Sequence, residues 1–330
     1  MKRRAFLLGS LGLASLSEHT HALNSTPQTG LVLDEGFSAH HISVSHPESP
    51  SRYTAIEQIF KAQTWFKQLH QLKPWSLTAT KPWLSTVHSE AHINSIKQQS
   101  ELTYQRVILA TGGALAAVDA VLSGTVRNAF CASRPPGHHA LNTGREEGFC
   151  YFNHVAIAAR YAQQQHQLSR ILIIDWDYHH GNGTEWAFYD DPSVLFFSTH
   201  DQFAYPGTGD PRRTGSGPGL GYNINVHLEC GSTEDDVIKA FEQHLVPVLA
   251  DFSPELILIS AGFDSREDDV LGCFNISDSG FVKLTKWVMA LAEQTCDGRV
   301  VSVLEGGYNI QGNAKAALAH LQTLSAMSDY

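Results

Sequence analysis

Asp175-Trp176-Asp177-Tyr178-His179-His180-Gly181-Asn182-Gly183-Thr184 packs carboxylate and imidazole groups directly behind the apolar run Arg170–Ile174. That β-branched run predicts a buried parallel strand, so the polar groups fall at its C-terminal end, where open α/β sheets place their ligands. Asp177 and His179 are two residues apart and in extended backbone would project from one side. One oxygen and one nitrogen donor held this way suit a divalent metal such as zinc. The competing reading is a polar strand end that caps a helix through Asn182 and Thr184. It is the weaker one, because buried charge is tolerated only when paired or metal-bound. Asp264 follows the apolar run Leu256–Ala261 and is the candidate third ligand. Three protein ligands leave an open coordination position, the mark of a catalytic metal. Two carboxylates and one imidazole make zinc the first choice, with ferrous iron or cobalt as substitutes.

A metal of this kind needs proton-transfer partners. His138-His139 supplies two imidazoles in a loop stiffened by Pro135-Pro136, and histidine can give or take protons near neutral pH. Taken alone, such a pair could equally be a satisfied surface motif. Asp175 and Asn182 are placed to hydrogen-bond the two rings and fix their tautomers. Tyr308, in Glu305-Gly306-Gly307-Tyr308-Asn309, could donate to a developing oxyanion, although a Gly-Gly-Tyr turn by itself is more often structural. Arg134–His139, the aspartates after Trp176, Thr199-His200, Ala261–Asp264 and Glu305–Asn309 all follow apolar runs. Five polar strand ends on one rim indicate a site.

The elements that would carry these ends are legible as strand-like runs at Gly30–Leu33, Asn128–Ala132, Arg170–Trp176, Val194–Thr199, Gly221–Val226, Leu256–Ala261 and Val300–Leu304. Helix-like stretches lie between most of them, at Ser51–Gln71, Gln105–Leu122, Tyr151–Gln167, Thr233–Ala250 and Ser279–Thr295. The alternation predicts a single α/β domain of three layers, with a mainly parallel central sheet covered on both faces. Gly207–Gly221 lacks dinucleotide-loop spacing and leads into a strand, so it reads as a structural loop.

The 330 residues carry 23 Lys and Arg against 33 Asp and Glu, a net charge of -10, which argues against nucleic-acid binding. Residues 1–22 read as a cleavable signal peptide: Met1-Lys2-Arg3-Arg4 is basic, Ala5 to Leu16 apolar, and Thr20-His21-Ala22 resembles a cleavage site. Arg3-Arg4-Ala5-Phe6-Leu7 resembles the bacterial twin-arginine export signal, which places the mature domain, 23–330, in the periplasm. Beyond that segment no apolar run is long enough to cross a bilayer, so no membrane span is expected after cleavage. Cys131, Cys150, Cys230, Cys273 and Cys296 are odd in number and lack Cys-x-x-Cys spacing, which predicts free thiols. Folding in a reducing cytoplasm before export would accommodate them.

The motifs resemble the superfamily of histone deacetylases, acetylpolyamine amidohydrolases and acetoin-utilisation proteins, in its bacterial, class II-like branch. The matching segments are His46–Glu48, Arg134–Ala140, Gly148–Asn153, Asp175–Thr184, Tyr205–Asp210, Ala261–Asp264 and Leu304–Asn309, in the expected order. The resemblance implies an arginase/deacetylase-type fold and an amidohydrolase acting on acetyl-lysine peptides, proteins or acetylated small molecules, with acetylpolyamines as the alternative. It implies zinc on Asp177, His179 and Asp264, His139 as general base and acid, His138 as its electrostatic partner, and Tyr308 as the carbonyl-polarising hydroxyl. Gly148, Phe149 and Tyr205 would line the acyl-lysine tunnel, Leu271 would stand at its rim, and Arg52 would line a cavity behind the metal. A structural potassium ion would take oxygens from Asp175, Asp177, His179, Ser198 and Thr199. Asn182 departs from the aspartate of the nuclear class I branch. Leu271 offers contact to a methylene stem, whereas Glu267, Asp268 and Asp269 would add a negative field beside it. An arginase-type ureohydrolase would need a second metal and leave Tyr308 idle. A non-catalytic acyl-lysine reader would lack a ligand, a base or the tyrosine, and all are present.

Overall fold

The structure, a computed structural model, describes residues 29–327; the expected signal peptide, residues 1–22, lies outside them. In chain order the elements are β1 (Thr29–Val32), α1 (Pro50–Lys61), β2 (His70–Leu72), α2 (Leu77–Leu84), α3 (Glu90–Gln99), α4 (Glu101–Leu122), β3 (Asn128–Cys131), α5 (His154–His166) and β4 (Ile171–Asp175). They continue with α6 (Asn182–Phe188), β5 (Val194–Asp201), β6 (Asn223–Leu228), α7 (Glu234–Ala240), α8 (Val246–Phe252), β7 (Leu256–Ala261), α9 (Asp278–Thr295), β8 (Val300–Leu304) and α10 (Ile310–Ser325). The strands form one eight-stranded sheet in the order β2-β1-β3-β8-β7-β4-β5-β6, parallel at every pairing. Parallel strands share one C-terminal rim, so β3, β4, β5, β7 and β8 deliver their polar ends to the same side.

Burial on both faces explains why the strands read as continuous apolar runs. Leu172 and Ile174 pack in the core on one face with α1, α9 and α10, and Ile171 and Ile173 in the core on the other with α4 and α5. β8 lies between β3 and β7 and joins the two halves of the sheet.

Several expectations need correction. The stretch Ser51–Gln71 is not one helix: α1 stops at Lys61, Trp65 and Leu69 turn into the core, and β2 pairs with β1 at the sheet edge. β2 is His-Gln-Leu with partial exposure, so it carries no apolar pattern to read. Thr233–Ala250 is broken by a π-turn at Phe241–Leu245 before α8. Pro247 explains the break, since it has no N–H to donate and its ring crowds the preceding turn. α2, α3, α6 and α10 were not foreseen. α4 is long and apolar enough to cross a membrane by length and composition, contrary to expectation, but it is a core helix against α2, α3 and α5. The cysteines are not all free: Cys230 and Cys273 form a disulfide with Cα atoms 5.1 Å apart, within bridging range. They stand 43 residues apart, which spacing motifs cannot detect. Cys131, Cys150 and Cys296 are free and buried.

Candidate active site

β4 ends at Asp175, so Asp177 and His179 lie in a turn beyond it and not on extended backbone. They converge for another reason. Asp177 Oδ1 accepts from the His179 backbone N–H at 2.9 Å and lies 3.1 Å from the His179 ring Nδ1. Asp264, beyond the end of β7, brings Oδ2 within 3.0 Å of the same nitrogen, while its Oδ1 accepts from the Tyr178 N–H at 2.9 Å. One donor atom from each of Asp177, His179 and Asp264 lies within 4.8 Å of the others, the only such group found among the described residues.

This donor set fits a divalent cation on two grounds. Both carboxylates are fully buried, and burial together with Asp177 pushes the Asp264 carboxyl up to about 7. Burial would lower the His179 ring, but its bonds to Asp177 and Asp264 raise it to about 10. The cluster is therefore short of positive charge. The backbone also makes a cradle: a Cβ on Gly262 would strike Asp177, and one on Gly306 would strike Asp264. Gly306 instead donates its N–H to Asp177 Oδ2 at 2.8 Å.

The histidine pair sits beside this group with its two rings 4.0 Å apart. His138 Nδ1 pairs with Asp175 Oδ2 at 2.9 Å and His139 Nδ1 with Asn182 Oδ1 at 2.8 Å. Burial would discharge His138, but Asp177 and Asp175 overcome it and hold the ring well above its ordinary value. His139 is held well below, by burial and then by His138 and His179. The two rings are thus pushed in opposite directions. Asn182 is the first residue of α6, after the N-cap Gly181, and its amide oxygen pairs with His139.

A cleft of about 490 Å³ opens over these groups, lined by His139, Gly148, Phe149, His179, Tyr205, Leu271 and Tyr308 among others. Phe149 stands edge-on to Tyr308 at 5.7 Å and Tyr205 edge-on to His139 at 5.0 Å. Gly148 has φ +53°, and a Cβ there would meet Tyr205 at 2.7 Å, so glycine lets the walls close. Leu271 is 40% exposed at the cleft. Asp175 and Ser198 are register partners on β4 and β5, with Thr199 next in line; Ser198 Oγ also pairs with His200 Nδ1 at 2.9 Å.

The contacts of three residues go beyond the sequence reading. Glu305 Oε2 accepts the N–H groups of Gly137 and His138 at 2.6 and 3.1 Å, which fixes the histidine loop to the end of β8. The Arg52 guanidinium donates to the carbonyls of Gly307 and Glu305, both at 2.6 Å, and to Glu48. It also lies 4.9 Å beneath the Tyr308 ring. Asp269 is tied to the backbone, because both its oxygens accept backbone N–H groups. Arg52 was visible in the His46–Glu48 neighbourhood; nothing in the acidic lip distinguished Asp269 from solvated neighbours.

The histone deacetylase domain family matches residues 46–324. A probable deacetylase of Archaeoglobus fulgidus is 37% identical over 86% of this chain and 82% of its own length. Histone deacetylase 14, chloroplastic, of Arabidopsis thaliana is 36% identical over 85% of this chain and 73% of its own. Polyamine deacetylase HDAC10 of Homo sapiens is 35% identical over 90% of this chain, which spans 48% of that longer protein. The crystal structure of the HDA15 HD domain superposes with a TM-score of 0.83 at 32% identity, covering 91% of this chain and 90% of that one.

Proposed function

We propose that this chain, which belongs to the histone deacetylase family and is a deacetylase, a hydrolase of amide bonds, removes acetyl groups from lysine-like amines with zinc held by Asp177, His179 and Asp264. The observation that carries the reading is the convergence of those three donors, with His179 lining a cleft walled by Phe149 and Tyr205. When bound, the ion polarises the acyl carbonyl and makes a water molecule easier to deprotonate. His139, neutral and with Nδ1 turned to Asn182, presents Nε2 to accept that proton and later return it to the leaving amine. His138, charged and paired with Asp175, keeps the neighbouring ring neutral. The Tyr308 hydroxyl donates to the oxygen on which charge develops. Ferrous iron or cobalt fits the same donors. A potassium ion held by oxygens of Asp175, Asp177, His179, Ser198 and Thr199 would support the turn after β4.

Acetyl-lysine-like amides are favoured over acetylpolyamines. At the mouth, Leu271 offers apolar contact, and the Asp269 carboxylate is turned onto the backbone N–H groups of Leu271, Tyr308 and Asn309 instead of being held out for a distant ammonium. Comparison of kcat/KM for an acetyl-lysine peptide and for acetylputrescine tests this. A tenfold or greater advantage for acetylputrescine would replace the lysine reading with the polyamine one. Residues 1–22 are proposed to direct export to the periplasm by the twin-arginine route. Mass spectrometry should then find a mature N-terminus near Leu23, and lysine at both Arg3 and Arg4 should retain the precursor; unimpeded export would point to the general secretory route.

A further inference from the structure

The acidic lip Glu267-Asp268-Asp269 looks like solvated charge, yet Asp269 turns inward. Its Oδ2 accepts from the backbone N–H groups of Tyr308 at 2.7 Å and Asn309 at 2.9 Å, and its Oδ1 from Leu271 at 2.9 Å. Asp268, in the left-handed region at φ 63°, makes the turn that aims its neighbour. The Asp268 carbonyl accepts from Asn309 Nδ2 at 2.9 Å, and Asn309 Oδ1 caps α10 through the Gly312 N–H at 3.0 Å.

Tyr308 follows two glycines whose backbone has wide freedom, Gly307 lying at φ +121°. Something must fix that backbone if the hydroxyl is to keep one position. Arg52 grips the turn from below through the carbonyls of Glu305 and Gly307. Asp269 grips it from above through amides, with charge-assisted bonds that are stronger than neutral ones. The same carboxylate holds the backbone of Leu271 at the rim of the cleft.

We propose that Asp269 is a positioning residue that locks the Tyr308 turn and the Leu271 lip into one frame, so that the seat for the substrate stem and the donor to the carbonyl oxygen share a single register. This rests on the role proposed above for Tyr308. Asp269→Asn replaces one acceptor oxygen with an amide that faces donors, and Asp269→Glu keeps the charge near Asp264 while displacing the carboxylate.

With metal content and melting temperature measured alongside, both variants should lose about 10- to 100-fold in kcat on an acetyl-lysine peptide, the scale of a misplacement near 1 Å. KM should rise about fourfold to fifteenfold, as when one or two methylenes lose contact. In a Tyr308→Phe background, Asp269→Asn should cost less than about twofold further in kcat, because coupled residues are non-additive, while the KM effect persists. Full additivity of the two kcat losses, or wild-type kcat in Asp269→Glu, would overturn the proposal. Wild-type kcat in Tyr308→Phe itself would instead overturn the role assigned to the tyrosine, and the inference with it.

Discussion

Two buried charge clusters lie close together in this fold and are built on opposite principles. Around Glu48, the carboxylate accepts two bonds of 2.7 Å from Arg134 and one of 3.2 Å from Arg52. The guanidinium groups spend their remaining donors on carbonyls of Phe37, His40, Glu305 and Gly307. Burial would raise the Glu48 carboxyl, but the two arginines hold it below its ordinary value. Around Asp177 and Asp264 the burial is as complete, yet the side chains paired with them are histidines and not arginine or lysine. The first cluster supplies its own counter-charge, two guanidinium groups to one carboxylate, and fixes the loop of residues 40–48 to the histidine loop. The second leaves a deficit that a divalent cation would fill. A carboxylate supplied with arginine marks a structural cluster here, and a carboxylate pair without it marks a site.

Replacement of Asp264 with Asn tests the sharpest side of this contrast. Activity should fall by about 10³-fold or more, given the several kcal/mol a polarising metal supplies, and elemental analysis should find the metal lost. The metal-free variant should melt no lower than the metal-free wild type, since its carboxyl is already held near 7 by burial and Asp177. A marked fall in melting temperature would mean that this cluster is structural too.

The converse change, Glu48→Gln, should leave metal stoichiometry intact and cost about 3–5 kcal/mol in denaturant melts, as broken buried ion pairs do. Unaltered stability would remove the distinction from the other side. A smaller effect follows with acid. Because the Glu48 carboxyl is depressed in the fold, its stabilisation is present above the ordinary glutamate value of 4.5 and is lost as pH falls through its lower native value. Its contribution to the slope is at most about 1.4 kcal/mol per pH unit. The Glu48→Gln variant should show a shallower decline than wild type below pH 4.5, and equal slopes would assign the acid limb to other carboxylates.

The site was legible where chemistry is written in short runs after apolar strands. Asp175–Thr184 and Glu305–Asn309 announce themselves because charged or glycine-rich residues abruptly end β-branched segments. The residues that hold the site were harder to see, since their signal lies in long-range backbone contacts. Asp269 reaches a tyrosine 39 residues away, and Arg52 a glycine 255 residues away. β2 was missed because a half-exposed edge strand needs no apolar alternation. The disulfide was missed because pairing between the loops after β6 and β7, and not spacing, brings Cys230 to Cys273.

The place of β8 bears on how the chain matures. The strand that bridges the two half-sheets is the last strand in sequence, and α10 behind it accepts from Thr29 and Asn128 through the Leu324 carbonyl. A growing polypeptide that has not yet made Val300–Leu304 can assemble β2-β1-β3 and β7-β4-β5-β6 only as separate ribbons with bare inner edges. Such edges invite pairing with other chains, and joining them demands contacts far apart in sequence, which form slowly. Nascent or truncated forms should therefore be both inert and adhesive, with hydrolytic competence arriving in one step when the centre of the sheet is filled.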